Sequence, residues 1–257
     1  MRQPTDARGA DPAYASLYRL GGLAAWLVAF LTVAEIVAFV LFPPPSTIPD
    51  WFRLFQSSPI IGIVDFWGLE APMYAMFALV FLALFAALKE VDKSGMAIVV
   101  ALAMLGIAVF LATNNPFSML ALSRQFADVT TEASRSHLLA AGEALLANTN
   151  QRAVGGFNIG LFLISVAGLI VSWAMRKAPS FRRPTTYLGM AAFGFALADY
   201  VRQVLTSSVV VALLVIIPGA LLLVVWFVLV GLRLWQLGRT EAEKQPHARR
   251  PGEVQDR

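Results

Sequence analysis

Long apolar runs alternate with short polar breaks along the whole chain. A run of about 20 apolar residues is what a helix needs to cross a bilayer. The sequence predicts six such spans, at about 20–42, 60–88, 96–113, 155–175, 187–205 and 211–235. Only Thr206, Ser207 and Ser208 punctuate the last two. The first run is too long for a signal-peptide core. It also contains Glu35, and no small-residue cleavage site precedes Pro43-Pro44-Pro45. Residues 1–18 and 238–257 are polar, charged and contain Pro and Gly, the pattern of mobile tails. The expected organisation is an N-terminal tail (1–18), a transmembrane domain (19–237) and a C-terminal tail (238–257).

The connections on one side carry more residues than those on the other. Residues 43–58 hold a Pro run and then Trp51, Phe52 and Phe55, which suits a short helix at headgroup level. Residues 114–152 are too many for a structureless link. Asn115 can cap a helix with Pro116 at its first position, and a second helix is expected from about 131 to 146. The pattern predicts a helical hairpin lying on the outer face.

Charge then sets the orientation. Of the 20 Lys and Arg residues, five (Arg53, Arg124, Arg135, Arg152 and Arg202) fall on one set of span ends, and the rest on the other. The positive-inside rule puts both termini in the cytoplasm. An odd number of spans would leave one basic tail outside. The resulting fold class is all-α: a polytopic membrane helix bundle with six transmembrane helices, both termini cytoplasmic and a helical outer loop between spans 3 and 4.

Composition agrees. Hydrophobic residues make up 58% of the 257 and charged ones 14%, against about 45–50% and about 25% in soluble domains. The net charge of +4 is modest and gives no argument for nucleic acid. The chain has no Cys, which excludes disulfides, thiol nucleophiles, iron–sulfur clusters and Cys-zinc sites.

The candidate chemistry lies in polar residues within the spans. Charges there are costly and usually face the bundle interior. At a rise of about 1.5 Å per residue, Glu35 lies about 10 Å below the outer surface, Asp65 about 8 Å, Glu70 about 15 Å, Asp199 about 9 Å and Arg202 about 5 Å. Asn158 lies at a similar level, and Asn114 and Asn115 sit at the outer mouth of the third span. All fall in the outer half, which predicts an outward-open polar pocket under the long loop. Asp199 and Arg202, three apart, share a helix face. Asn158, Ser165 and Ser172 recur every seven residues. Asp65 and Glu70, five apart, point in different directions.

Two readings compete. In one, Arg202 pairs with Asp199 and the other polar groups only hold helices together. In the other, an excess of acids binds a small cation, a proton or an amine, with Arg202 orienting Asp199 or clamping an anionic group. Pro72 and Pro218 read as ordinary bends or, less simply, hinges. The chain shows no Gly-x-Ser-x-Gly elbow, no His-Glu-x-x-His motif and no phosphate-binding loop. His137 with Glu132 and Glu143 matches no metal spacing. No catalytic residue, metal ligand or cofactor is assigned, and an enzyme is the weakest class. No internal repeat is evident, which counts against a secondary transporter.

Several stretches resemble a bacterial family of six-span proteins, domain of unknown function 4386. They are Tyr18-Arg19-Leu20-Gly21-Gly22-Leu23, Gly62-Ile63-Val64-Asp65, Asn158-Ile159-Gly160-Leu161, Tyr187-Leu188-Gly189 with Asp199-Tyr200, and Pro218-Gly219 with Trp226-Phe227-Val228-Leu229-Val230-Gly231. Members of the family carry Asp in places where this chain has Asn158. The resemblance implies a multi-pass fold in a bacterial inner membrane, with the bilayer as partner. It implies no reaction and transfers no catalytic residue.

Overall fold

In the computed structural model, residues 11–149 and 158–248 are described, and among them the only regular elements are helices. The expected start of the fourth span at 155 and the end of the outer loop at 152 lie outside the described residues, as do 1–10 and 249–257 of the tails. A short 3-10 turn, Pro12–Tyr14, leads into α1 (Ala15–Leu41). Then come α2 (Ile48–Ser57), α3 (Pro59–Trp67), α4 (Glu70–Leu88) and α5 (Lys93–Thr113). The second half holds α6 (Pro116–Asp128), α7 (Glu132–Ala147), α8 (Ile159–Met175), α9 (Arg183–Leu205) and α10 (Val209–Ala248).

Helix starts are set by local chemistry. The side chains of Thr47, Asp92, Asn115, Thr131 and Asn158 each accept a bond from a backbone N–H in the first turn of the following helix. Such caps satisfy donors that the helix itself leaves unpaired. Pro59 and Pro116 open α3 and α6, where a missing N–H costs nothing. Pro72 is harmless for the same reason, since it lies in the first turn of α4. Pro218 lies inside α10, which continues through it. α10 also runs on to Ala248, so the described part of the expected tail from 238 is helical. That segment, Arg239 to Ala248, contains Glu241, Glu243 and Lys244, all good helix formers.

The run expected as one span at 60–88 is two helices. Gly68 breaks it with φ +43° and ψ −134°, a conformation open to glycine and strained for other residues. The break makes Glu70 the first residue of α4.

Six helices close into a ring in chain order. α1 packs on α4, α4 on α5, α5 on α8, α8 on α9, α9 on α10, and α10 back on α1. Two seams are close backbone contacts. A methyl group at Gly160 would sit 2.5 Å from the Gly106 carbonyl oxygen, and one at Gly22 would sit 2.9 Å from that of Gly231. Small residues let membrane helices approach this closely. Aromatic rings fill the interior: Tyr74 stacks on Phe110 with centroids 3.5 Å apart, and Phe77 on Phe227 at 5.5 Å.

Four segments are long and apolar enough to cross a membrane: Ala15–Leu41, Pro59–Leu88, Lys93–Asp128 and Val209–Thr240. In the last, only 17% of the most apolar window is buried in protein. An apolar helix so little covered needs an apolar solvent. The chain is therefore a multi-pass membrane protein. α8 is shorter, at 17 residues, and α9 is less apolar.

One end of the ring carries a cap. α2, α3, α6 and α7 form a second core in which Trp51, Phe52, Phe55, Phe66, Met119 and Leu146 are buried. Gln56 donates to the Ser123 carbonyl (2.9 Å) and Ser123 to the Phe52 carbonyl (3.0 Å), tying α2 to α6. At the opposite end, Lys89 bonds Asp11 at 3.1 Å and lies over the Tyr14 ring. The Ala13 backbone N–H and then Lys89 hold the Asp11 carboxyl below its ordinary range, while Asp11 raises Lys89. Arg233 donates to the Ser180 carbonyl there, linking α10 to the α8–α9 turn.

Candidate functional site

The polar residues of the ring gather toward the capped end. Glu70 is 5% exposed and sits in the first turn of α4, where the helix dipole favours an acid. Its Oε2 accepts from Asn114 Nδ2 at 2.7 Å. Asn114 is the C-cap residue of α5 and is fully buried. The half-buried Glu35 of α1 lies within side-chain reach of Glu70, on the neighbouring α4. Three helices thus meet through Glu35, Glu70 and Asn114. Tyr74, one turn along α4, is buried and within electrostatic reach of Glu70, Tyr200 and Glu35.

A second group stands on α9. Asp199 Oδ1 accepts from Arg202 Nε at 2.5 Å, and its Oδ2 accepts from Gln203 Nε2 at 2.9 Å. Arg202 Nη1 donates to the Thr206 carbonyl. Tyr200 donates to the Asn158 carbonyl at 2.9 Å, tying α9 to the start of α8. The Asn158 side chain caps α8 through its Oδ1. Three atoms of the two groups are buried without a hydrogen-bond partner among the described residues: Asn114 Oδ1, Asn158 Nδ2 and Arg202 Nη2. Buried polar atoms left so are uncommon in folded proteins.

The sequence pattern predicts one outward-open pocket for all eight candidates. The structure divides them. Glu35, Glu70 and Asn114 form one group; Asn158, Asp199 and Arg202 belong to the other. Asp65 lies half-buried on α3, apart from both, with no hydrogen bond or ion pair among the described residues. Asn115 is a helix cap: its Oδ1 accepts from the Phe117 N–H at 2.9 Å. Tyr74, Tyr200 and Gln203 are not among the residues that the sequence pattern singles out for the site. Tyr74 follows Glu70, and Gln203 follows Asp199, by four residues, which is one helical face. That spacing was the available signal.

A cavity of about 380 Å³ opens inside the ring. Ser165, Asp199, Tyr200 and Gln203 are its polar lining, and the remainder is apolar or aromatic, contributed by α1, α4, α8, α9 and α10. Glu35, Glu70 and Asn114 are not among its walls.

The residues that build both groups and both close seams lie largely within 56–231, and a family model matches that stretch, under the description of a domain of unknown function (DUF4386). The chain belongs to this family. Glu70, Asn114, Asn158 and the Asp199–Gln203 turn fall within the DUF4386 match, whereas Glu35 and most of α1 precede it. No curated protein and no solved structure matches the chain.

Proposed function

We propose that this DUF4386 protein is a six-span bundle of a bacterial inner membrane. Both termini face the cytoplasm and the cap lies outside. It binds a small cationic or proton-linked ligand within the ring, below the cap. α8 and α9 supply the fourth and fifth spans, shielded by their neighbours in the ring. The lysine- and arginine-rich end, with Lys89, Lys93, Arg176 and Lys177, is cytoplasmic on this reading.

The observation that carries the proposal is the approach of two acids, Glu35 and the buried Glu70, across the packed α1–α4 seam beside Asn114. Two carboxyl groups can hydrogen-bond only with a proton held between them, and a cation or an ammonium donor can take that proton's place. Asn114 offers an unpartnered oxygen beside the pair. Binding would therefore be coupled to proton release, which is the property a sensor or carrier of such ligands needs. A role confined to assembly draws support from the Asp199–Arg202 pair, which is internally satisfied on its Nε side.

Infrared difference spectroscopy separates these readings. A protonated carboxyl band should be present in the wild type and absent in Glu35→Gln. Sodium or methylammonium should diminish it in the wild type. If neither pH across the neutral range nor either cation changes the band, the binding reading fails and assembly remains.

A further inference from the structure

The interior cavity has its polar groups at one end. Asp199, Tyr200 and Gln203 stand near the end of α9, on the capped side, while Ala192 and Phe193 line the wall deeper in. Along α10 the walls run from Val215 to Phe227, about 18 Å at a rise of about 1.5 Å per residue. Phe77, Phe81 and Phe227 close the deep part. The space is thus elongated, polar at its mouth and apolar below, with a volume in the range of small-molecule sites.

Its mouth also reaches the flank of the bundle. Phe39 and Ile216 line the cavity and are 40% and 39% exposed, so the cavity is open where these two helices meet its mouth. A molecule could enter there from the bilayer as well as from water. Among the described lining residues the one charged group is Asp199, an acid. Its carboxylate accepts two hydrogen bonds, leaving room for about two more. Arg202, which donates to that carboxylate, is not part of the wall.

We infer that this cavity holds a single-chain amphiphilic amine from the outer leaflet, its ammonium head at Asp199 and Gln203 and its chain among Phe77, Phe81 and Phe227. The inference takes from the proposed cation-binding function only the sign of the head, and it concerns a second ligand at a site apart from Glu35 and Glu70. The open acceptor positions on the Asp199 carboxylate, whose charge Arg202 already balances, select a donor head over a phosphate or carboxylate. The aromatic floor selects a chain over a compact cation.

The test uses the full chain in lipid nanodiscs and a dodecylamine carrying a photoactivatable diazirine near its chain end. Mass spectrometry should place the label on Phe77, Phe81 or Phe227. Ala220→Phe, which narrows the cavity, should abolish that labelling while leaving the circular-dichroism spectrum unchanged. Dodecylamine should compete, and methylammonium should not. Dodecanol should compete about tenfold less well, the difference one charge-assisted hydrogen bond makes. In the variant Asp199→Asn with Arg202→Gln, which removes both charges together, that preference should vanish.

Label confined to lipid-facing positions such as Phe30 and Val204, and indifferent to Ala220→Phe, overturns the inference. Equal competition by dodecanol overturns the amine head. Neither result bears on the Glu35–Glu70 infrared band, so the two proposals fail separately.

Discussion

The acids Asp199 on α9 and Glu70 on α4 have opposite needs. Asp199 is matched by Arg202, whose side chain is only 4% exposed. Breaking such a buried pair strands a charge and costs about 3–5 kcal/mol, whereas removing both partners costs much less. Asp199→Ala should therefore lower the melting temperature in detergent sharply. Asp199→Ala combined with Arg202→Met should recover most of the loss. A double variant no more stable than the single one would show that the pair contributes nothing beyond packing. Glu70 instead meets Asn114 and a second carboxyl. The sequence makes this difference half legible. The spacing of Asp199 and Arg202 places them on one face, whereas Asn158, expected inside a span from 155, instead caps α8. Nothing in the chain ties Glu35 to Glu70, because their contact depends on the register of α1 against α4. The separation of Asp65 from Glu70 is legible as an angle, but not which of them turns inward.

The helix starts at Asn115 and near Thr131 are readable because short polar side chains stand ahead of apolar runs, and the caps at Thr47 and Asp92 follow the same chemistry. The break at Gly68 is not readable, because a hydropathy pattern counts apolar residues and carries no dihedral angle. Yet that break decides the site: it ends α3, restarts the backbone at Leu69 and sets Glu70 in a first turn. Gly68→Ala should cost about 1–3 kcal/mol, the usual strain of a side chain in such a conformation. It should also shift the carboxyl band assigned to Glu35 and Glu70. Gly194→Ala is the control, since a methyl there meets nothing within 4 Å, and it should leave both stability and band unchanged. A neutral Gly68→Ala would mean that the α3–α4 junction relaxes freely and does not position Glu70.

For the whole molecule, the unequal character of the six ring helices is the informative feature. α10 is apolar and little covered, whereas α9 carries Asp199, Arg202 and Gln203 and α8 has only 17 residues. A hydropathy criterion alone admits four crossing segments. The ring admits six, because α8 and α9 turn their polar residues toward neighbours and complete a closed circuit with α5 and α10. Closure of α10 on α1, through the Gly22–Gly231 contact and the Trp26 bond to the Val228 carbonyl, joins parts of the chain about 200 residues apart and could not be read from local pattern. The two arrangements place Lys177, in the α8–α9 turn, on opposite sides of the membrane. The chain lacks Cys, so any introduced thiol reports alone. Ser136→Cys, exposed on the cap, should react with a membrane-impermeant maleimide in intact cells. Lys177→Cys and Thr240→Cys should react only after permeabilisation. If Lys177→Cys is labelled from outside as readily as Ser136→Cys, α8 and α9 do not cross. The ring would then be four spanning segments with a hairpin dipping in from the capped side, and the cavity's polar mouth would belong to that hairpin.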